Sequence, residues 1–366
     1  MFGLTGFNAI LNTMPNASRQ PAVPGMECPD PAAWYSDDIS KLSDQWIYNL
    51  SQVQVNELMD RVSVLERDGV EIKDISRELF PLPNVGPALE DVYHQLTEGR
   101  GFVLIRGLPV LEMSTWQAGA AFFGMGTYLG RPVSQNPMGH LLGHVKNLGK
   151  DYNDPMVRGY QTAAQMNFHS DQCDYVGLMC MHPAKSGGES LIASSITVYN
   201  EMQKRRPDLA DALCKEFYFT KHGEVKEGEE PFYCMPIFAF HEGYLSIRAG
   251  GAHVRKAQLL EGVPKFTEID IEALDMFQAL AKELYMPMEF EVGDIQFLHN
   301  HVMLHTRTAF EDYEEHEKKR HLMRLWLTDP DGRPTLPGFR ENISGIEIDG
   351  TVHSAPLDML EGAGAD

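Results

Sequence analysis

The chain lacks any uninterrupted apolar run near the roughly 18 residues that a membrane-spanning helix needs, so an integral helical membrane protein is not expected. It has no CxxC pair, and its five cysteines, Cys28, Cys173, Cys180, Cys214 and Cys234, are odd in number. That argues against a disulfide framework or a cysteine zinc site, and for free thiols in a reducing compartment. Positive charge is scarce: 31 Lys and Arg face 52 Asp and Glu, a net charge of −21. Such acidity disfavours nucleic acid and anionic membrane surfaces as partners. Internal repeats and low-complexity tracts are missing too. Residues 1–19 carry one basic residue, thin for an import presequence, and have no secretory pattern, so the cytoplasm is the expected location.

What is present is a soluble, globular composition, 43% hydrophobic and 23% charged over 366 residues, enough for one elaborated domain or two ordinary ones. Residues 1–90 read as an N-terminal arm and helical extension, 91–330 as the main domain with an insert over about 197–285, and 331–366 as a polar tail. Val55, Leu58, Val62 and Leu65 recur at helical spacing, and Gly69 stands where a C-cap belongs, which predicts a helix over 51–68. Helices are also expected over 86–97, 113–129 and 207–216, the last started by Pro207. Thr267 and Asp270 form a capping-box pattern opening another helix that runs to 284. Strands are expected over 101–107, within 134–196, over 290–304 with a turn at Gly293-Asp294, and over 321–327. Strands on both sides of a helical insert suit an α+β chain whose sheet closes on itself as a β-roll.

The chemistry centres on His169-Ser170-Asp171 and a histidine far downstream. Two imidazoles and one carboxylate are the ligand set of a non-haem iron site that keeps one face open. On a strand, positions i and i+2 share a side, so His169 and Asp171 could grip one ion together. For the third ligand, His299, His301 and His305 have the same parity, and spacing alone does not choose among them. Iron(II) needs two further electrons to use oxygen on an unactivated C–H bond. A 2-oxo acid supplies them by losing carbon dioxide, and its far carboxylate then needs a fixed cation. Arginine suits that task because its planar fork binds carboxylate through two hydrogen bonds. Arg320 and Arg324, four apart on one strand face, are the candidates, with Ser190 at the end of Lys185-Ser186-Gly187-Gly188-Glu189-Ser190 adding a hydroxyl.

Taken together, the HxD at 169–171, the glycine turn before Ser190, Gly293-Asp294, the segment from Asn300 through His305-Thr306-Arg307, and the Arg320/Arg324 pair resemble the taurine dioxygenase-like (TauD/TfdA) family of iron(II)/2-oxoglutarate-dependent dioxygenases. The resemblance covers about residues 95–330. It implies a double-stranded β-helix, or jelly-roll, core with flanking helices. It also implies iron(II) held by His169, Asp171 and His305, with 2-oxoglutarate and O2 as co-substrates. By the same resemblance Arg320 takes the distal carboxylate of 2-oxoglutarate together with Ser190, and Arg324 lies near its metal-bound end. The family often has Asn where this chain has Gln165, four residues before the first metal histidine. By the same resemblance, an intact Asp171 favours hydroxylation, or outcomes that diverge after hydrogen abstraction such as desaturation or cyclisation, over halogenation.

The expected substrate is a small polar metabolite, carboxylate- or amino-acid-like, oxidised at an aliphatic C–H with release of succinate and CO2. Asn136, Gln165, Asn167 and Arg248 are the candidate substrate contacts; Ser134, Gln135, His140, His144 and Gln161 stand in the same bordering segments. His182 and His222 fall outside any ligand pattern. Two alternatives are a non-catalytic metal-binding β-roll acting as sensor or scaffold, and a cupin-type enzyme working without 2-oxoglutarate. Either would leave Arg320 and Ser190 without a shared task. Homo-oligomer formation is left open.

Overall fold

The computed structural model describes residues 19–149, 162–250, 252–343 and 345–357. Eight strands build the centre: β1 (Phe102–Arg106), β2 (Leu142–Val145), β3 (Tyr175–His182), β4 (Ser190–Ser194), β5 (Met286–Met288), β6 (Ile295–His299), β7 (Met303–Arg307) and β8 (His321–Thr328). The larger sheet runs β1-β6-β3-β8, with β2 on the far side of β8 and Ile47–Asn49 parallel to β1 at the opposite edge. The smaller sheet runs β5-β4-β7. All pairings among the eight strands are antiparallel.

Alternation along these strands divides the interior in two, because successive side chains leave opposite faces of a sheet. Val103, Ile105, Met179, Phe297, Met323 and Leu325 pack outward against the N-terminal helices. Phe102, Leu104, Val176, Leu298 and Trp326 face inward and join Leu191, Ile192, Ala193 and Leu304 of the smaller sheet. Each such fully buried side chain contributes about 1.5–3 kcal/mol through the apolar surface it removes from water. The same alternation puts Arg324 beside Trp326 on the inner face of β8.

The helices form where their caps and stripes dictate. Ser51 and Gln54 make a reciprocal capping box for Gln52–Arg67, which buries Leu58, Val62 and Leu65. Gly86–Thr97 and Thr115–Gly126 complete the outer layer, and Gly124 lets the Phe80 ring approach so closely that a Cβ there would lie 2.4 Å from it. The insert holds Ser195–Arg205, hairpins Glu216–Thr220/Phe232–Pro236 and Phe238–His241/Tyr244–Ile247, and Glu268–Leu284, which starts at the expected Thr267/Asp270 box. Gly293 turns the chain into β6 with φ +87°, and the Leu108 carbonyl oxygen would stand 2.0 Å from any Cβ there.

Three expectations are corrected. The helix begun by Pro207 ends at Ala212 instead of 216. The Leu213 carbonyl accepts from Ile237 and Phe238, and the alternating burial of Phe217 and Phe219 makes Glu216–Thr220 a strand. The stretch 290–304 is not one strand: a turn over 300–302, with Val302 N–H donating to His299 O, sends β6 and β7 into different sheets. And His169 and Asp171 do not sit on a regular strand; His169 makes a single isolated bridge, and an irregular bend follows Asp171.

Candidate metal centre and substrate cavity

The turn at 300–302 resolves which histidine joins His169. His299 ends β6 with its Nε2 buried and without a partner, and His301 points to Asp174, 2.8 Å from Nε2 to Oδ1. His305, on β7, pairs with His169 through backbone hydrogen bonds in both directions, and the two imidazole centroids lie 4.4 Å apart. The candidate ligand atoms of His169, Asp171 and His305 all lie within 4.8 Å of one another, the one such group among the described residues.

Each ligand is held from behind. His169 Nδ1–H donates to the Asn167 carbonyl at 2.9 Å, which fixes the tautomer and leaves Nε2 as the metal-binding atom. Asp171 N–H donates to Asn300 Oδ1 at 3.0 Å, and the Trp326 indole N–H donates to Asp171 Oδ2 at 2.9 Å. Burial alone would raise the Asp171 pKa; Arg324, both imidazoles and the Trp326 hydrogen bond outweigh it and hold the carboxyl at about 2. Burial lowers the pKa of His169, and lowers His305 to about 3 with help from His169 and Arg324. At neutral pH the group is therefore two neutral imidazoles and one carboxylate, the protonation state a divalent metal requires. Three convergent N and O donors with an open side fit iron(II).

The cavity over this triad is lined by Ser190, Arg320, Arg324, Asn167 and Arg248, and also by His222, His253 and Lys256. Arg320 is 4% exposed, and among the described residues its Nη1 is buried without a hydrogen-bond partner; its side chain makes a long hydrogen bond of 3.4 Å to the Gly188 carbonyl, and its guanidinium carbon stands 5.2 Å from the Phe310 ring centroid. Arg324 receives its orientation from Gln135, whose Oε1 accepts from Nε at 2.7 Å, and its nearest guanidinium nitrogen is 3.8 Å from Asp171 Oδ2.

The substrate candidates divide. Asn167 and Arg248 border the cavity, but Arg248 spends its guanidinium on Tyr233 Oη at 2.9 Å and the Ser170 carbonyl at 2.7 Å, bracing the HxD segment. Asn136 is not on the cavity wall: its side chain closes a local turn with Met138 N–H and His140. Gln165 is exposed, also off the wall, and Gln161 lies outside the described residues. Gln135 acts through Arg324, while His140 and His144 hold the C-terminal segment, His144 Nε2–H donating to the Pro356 carbonyl. The wall also holds residues that the motifs do not assign. Trp326 was detectable as the inner-face neighbour of Arg324. His222, His253 and Lys256 come from insert segments with no pattern of their own, and His222 in particular was set aside.

The model of the taurine catabolism dioxygenase TauD, TfdA family matches residues 69–326. The chain belongs to this family. It is accordingly an iron(II)- and 2-oxoglutarate-dependent dioxygenase with an α+β, jelly-roll core. FR-33289 synthase of Streptomyces rubellomurinus is 30% identical over 307 residues, covering 82% of this chain and 90% of that protein. A taurine hydroxylase-like protein, SAT17, of Stachybotrys chartarum is 28% identical over 321 residues, covering 84% and 81%. Among solved structures, asparagine oxygenase with Fe(II), 3-hydroxyasparagine and succinate shares the fold at TM-score 0.63 and 17% identity, covering 82% of this chain and 99% of that one. The non-heme iron oxygenase OrfP with Fe, succinate and (3S)-hydroxy-L-Arg does so at TM-score 0.58 and 14% identity, covering 77% and 94%.

Proposed function

We propose that the chain hydroxylates an aliphatic C–H of a small anionic metabolite, an amino acid or another carboxylate. The iron(II) would be held by His169, Asp171 and His305. Arg320 and Ser190 would take the distal carboxylate of 2-oxoglutarate, with Arg324 near its inner end. Iron(II), 2-oxoglutarate and O2 supply the oxidising power, with succinate and CO2 released. The protein's part is to orient and enclose. Trp326, Leu322, Leu178 and Phe290 give the cavity an apolar side that keeps water away from the reacting carbon. Arg324 and Lys256 place positive charge on the wall of a cavity in an otherwise acidic protein.

The observation that carries this reading is the buried Arg320 Nη1, without a hydrogen-bond partner among the described residues, on a side chain that lines the cavity. Leaving a buried donor unpaired costs about 1–3 kcal/mol, which a carboxylate bound there would relieve. A metal-binding scaffold or a cupin-type enzyme needs no such cation. Anaerobic titration of the iron-loaded protein with 2-oxoglutarate tests it: a visible charge-transfer band should appear at one equivalent. A substrate panel scored by succinate release then tests the anionic preference, and turnover confined to neutral apolar compounds overturns it. We also take 91–330 as the catalytic unit, with 1–90 as its buttress and 331–366 as a tail. No helix among the described residues is long and apolar enough to cross a membrane, and we place the enzyme in the cytoplasm because its five cysteines are all free thiols.

A further inference from the structure

Trp326 is 2% exposed and lies on the inner face of β8, two residues beyond Arg324. An indole N–H is a donor only, and when buried it takes one partner. Here that partner is not a backbone carbonyl, as for Trp34 and Trp46, but Oδ2 of Asp171 at 2.9 Å. The ring is held in turn: the Arg324 guanidinium carbon stands 4.8 Å from its centroid, and Gln135 anchors Arg324 from both ends, accepting from Nε and donating to the Arg324 carbonyl at 2.8 Å. Gln135 is itself 1% exposed and donates also to the Leu141 carbonyl. Backbone pairing of β8 with β3, Trp326 opposite Val176, fixes the strand beneath.

We infer that Trp326 is a positioning residue for the metal centre: its indole N–H fixes the side-chain conformation of Asp171 and restricts that carboxylate to a single bond to the metal. The inference rests on the reading of His169, Asp171 and His305 as the iron ligands. The physical reason is competition for lone pairs. A carboxylate free to rotate can bind a metal through both oxygens, which would fill a position the open face must keep for co-substrate and oxygen. A hydrogen bond to one oxygen, delivered by a rigid buried ring, makes the two oxygens unequal. Asn300 does the complementary job on the main chain, accepting from Asp171 N–H at 3.0 Å. Together they bracket the ligand, as partners behind metal ligands commonly do.

The test is anaerobic titration of wild type and Trp326→Phe with cobalt(II), which reports affinity and coordination number in its visible absorption without turnover. Phe keeps the ring and removes the donor. The expected result is a loss of affinity of about 10–100-fold, with weaker absorption bands as the freed carboxylate adds its second oxygen. Equal affinity and an unchanged spectrum in Trp326→Phe overturn the inference. Absence of stoichiometric cobalt in wild type overturns the underlying triad reading instead, so the two failures are separable. Should Trp326→Phe not fold, the wild type answers by nuclear magnetic resonance. Of four indole N–H signals, one should move on zinc loading and stay slow to exchange. If none of the four responds to zinc, Trp326 does not act on the centre.

Discussion

His169 and His305 are hydrogen-bonded to each other through their main chains, His169 N–H to His305 O at 3.0 Å and His305 N–H to His169 O at 2.9 Å. Residues opposed in this way across an antiparallel pair have Cα atoms about 5.5 Å apart. The spacing of two candidate ligands, 136 positions apart in sequence, is thus set by backbone geometry and does not depend on side-chain packing.

His305→Ala should therefore abolish iron binding while leaving the fold intact, since β7 keeps its pairing with β4. His301→Ala should do the reverse. It removes a partner 2.8 Å from buried Asp174 and should cost on the order of 3 kcal/mol of stability with iron binding retained. Metal analysis alongside urea unfolding separates the two. Loss of iron in His301→Ala, and not in His305→Ala, would reverse the assignment.

Arg320→Ala should weaken 2-oxoglutarate binding by about 2–5 kcal/mol, because a buried carboxylate loses its charged partner. Stability should hold or rise, since the guanidinium has a buried unpaired nitrogen and burial already lowers its pKa. Arg320→Lys should recover part of the affinity, lacking the planar fork. Titration of the charge-transfer band measures affinity and thermal melting measures stability.

Lys256→Ala should raise KM for an anionic substrate several-fold and leave the 2-oxoglutarate titration unchanged, because Lys256 lines the cavity and is not among the residues that face the co-substrate's carboxylate in this reading. Steady-state kinetics beside the anaerobic titration checks both halves. An equal fall in 2-oxoglutarate affinity would mean that Lys256 serves the co-substrate.

Acid should destabilise the protein through His321 and His144, whose ring nitrogens are 2.9 Å apart. Burial, then Lys146, His144, His182 and Arg320, pushes His321 down to about 2; burial, Lys146 and His140 lower His144 against the hydrogen bond to Pro356 O. Both are near 6.5 when unfolded. Below that pH the unfolded chain binds protons that the folded one refuses, so stability is full above about pH 6.5 and erodes as pH falls toward about 2. The slope is at most about 1.4 kcal/mol per pH unit for each group. Urea unfolding from pH 7.5 downward should show it, and His321→Phe should flatten it; a parallel slope in that variant would remove these histidines from the account.

Much of the centre was legible because its chemistry uses rare residue types in fixed company. His169, Asp171, Ser190, Arg320 and Arg324 all border one cavity. The helix caps at Ser51 and Thr267 were legible because capping is local, a matter of three residues. Asn136 and Gln165 were not placed correctly on the wall, because a polar side chain in a loop has no periodicity to reveal where it points. His222, His253 and Lys256 were missed for the same reason: the insert brings them to the cavity through packing against β-hairpins, and nothing within several residues of any of them records it.

The sequence by itself determined the ligand inventory, the alternation that puts Arg324 and Trp326 on one face of β8, and the family to which the chain belongs. Spacing left three histidines of equal parity open and only the family resemblance pointed to His305; tertiary structure supplies the physical reason that it is the one that meets His169. Parity is conserved only while a strand stays straight. The turn at 300–302 cuts the run, leaves His299 and His301 in the hydrogen-bond network beneath, and hands His305 to the other sheet. Likewise, whether Arg320 would end in an ion pair or in an open cavity depended on which carboxylates the fold brought near it, and long-range packing, which no local pattern encodes, left its Nη1 without one.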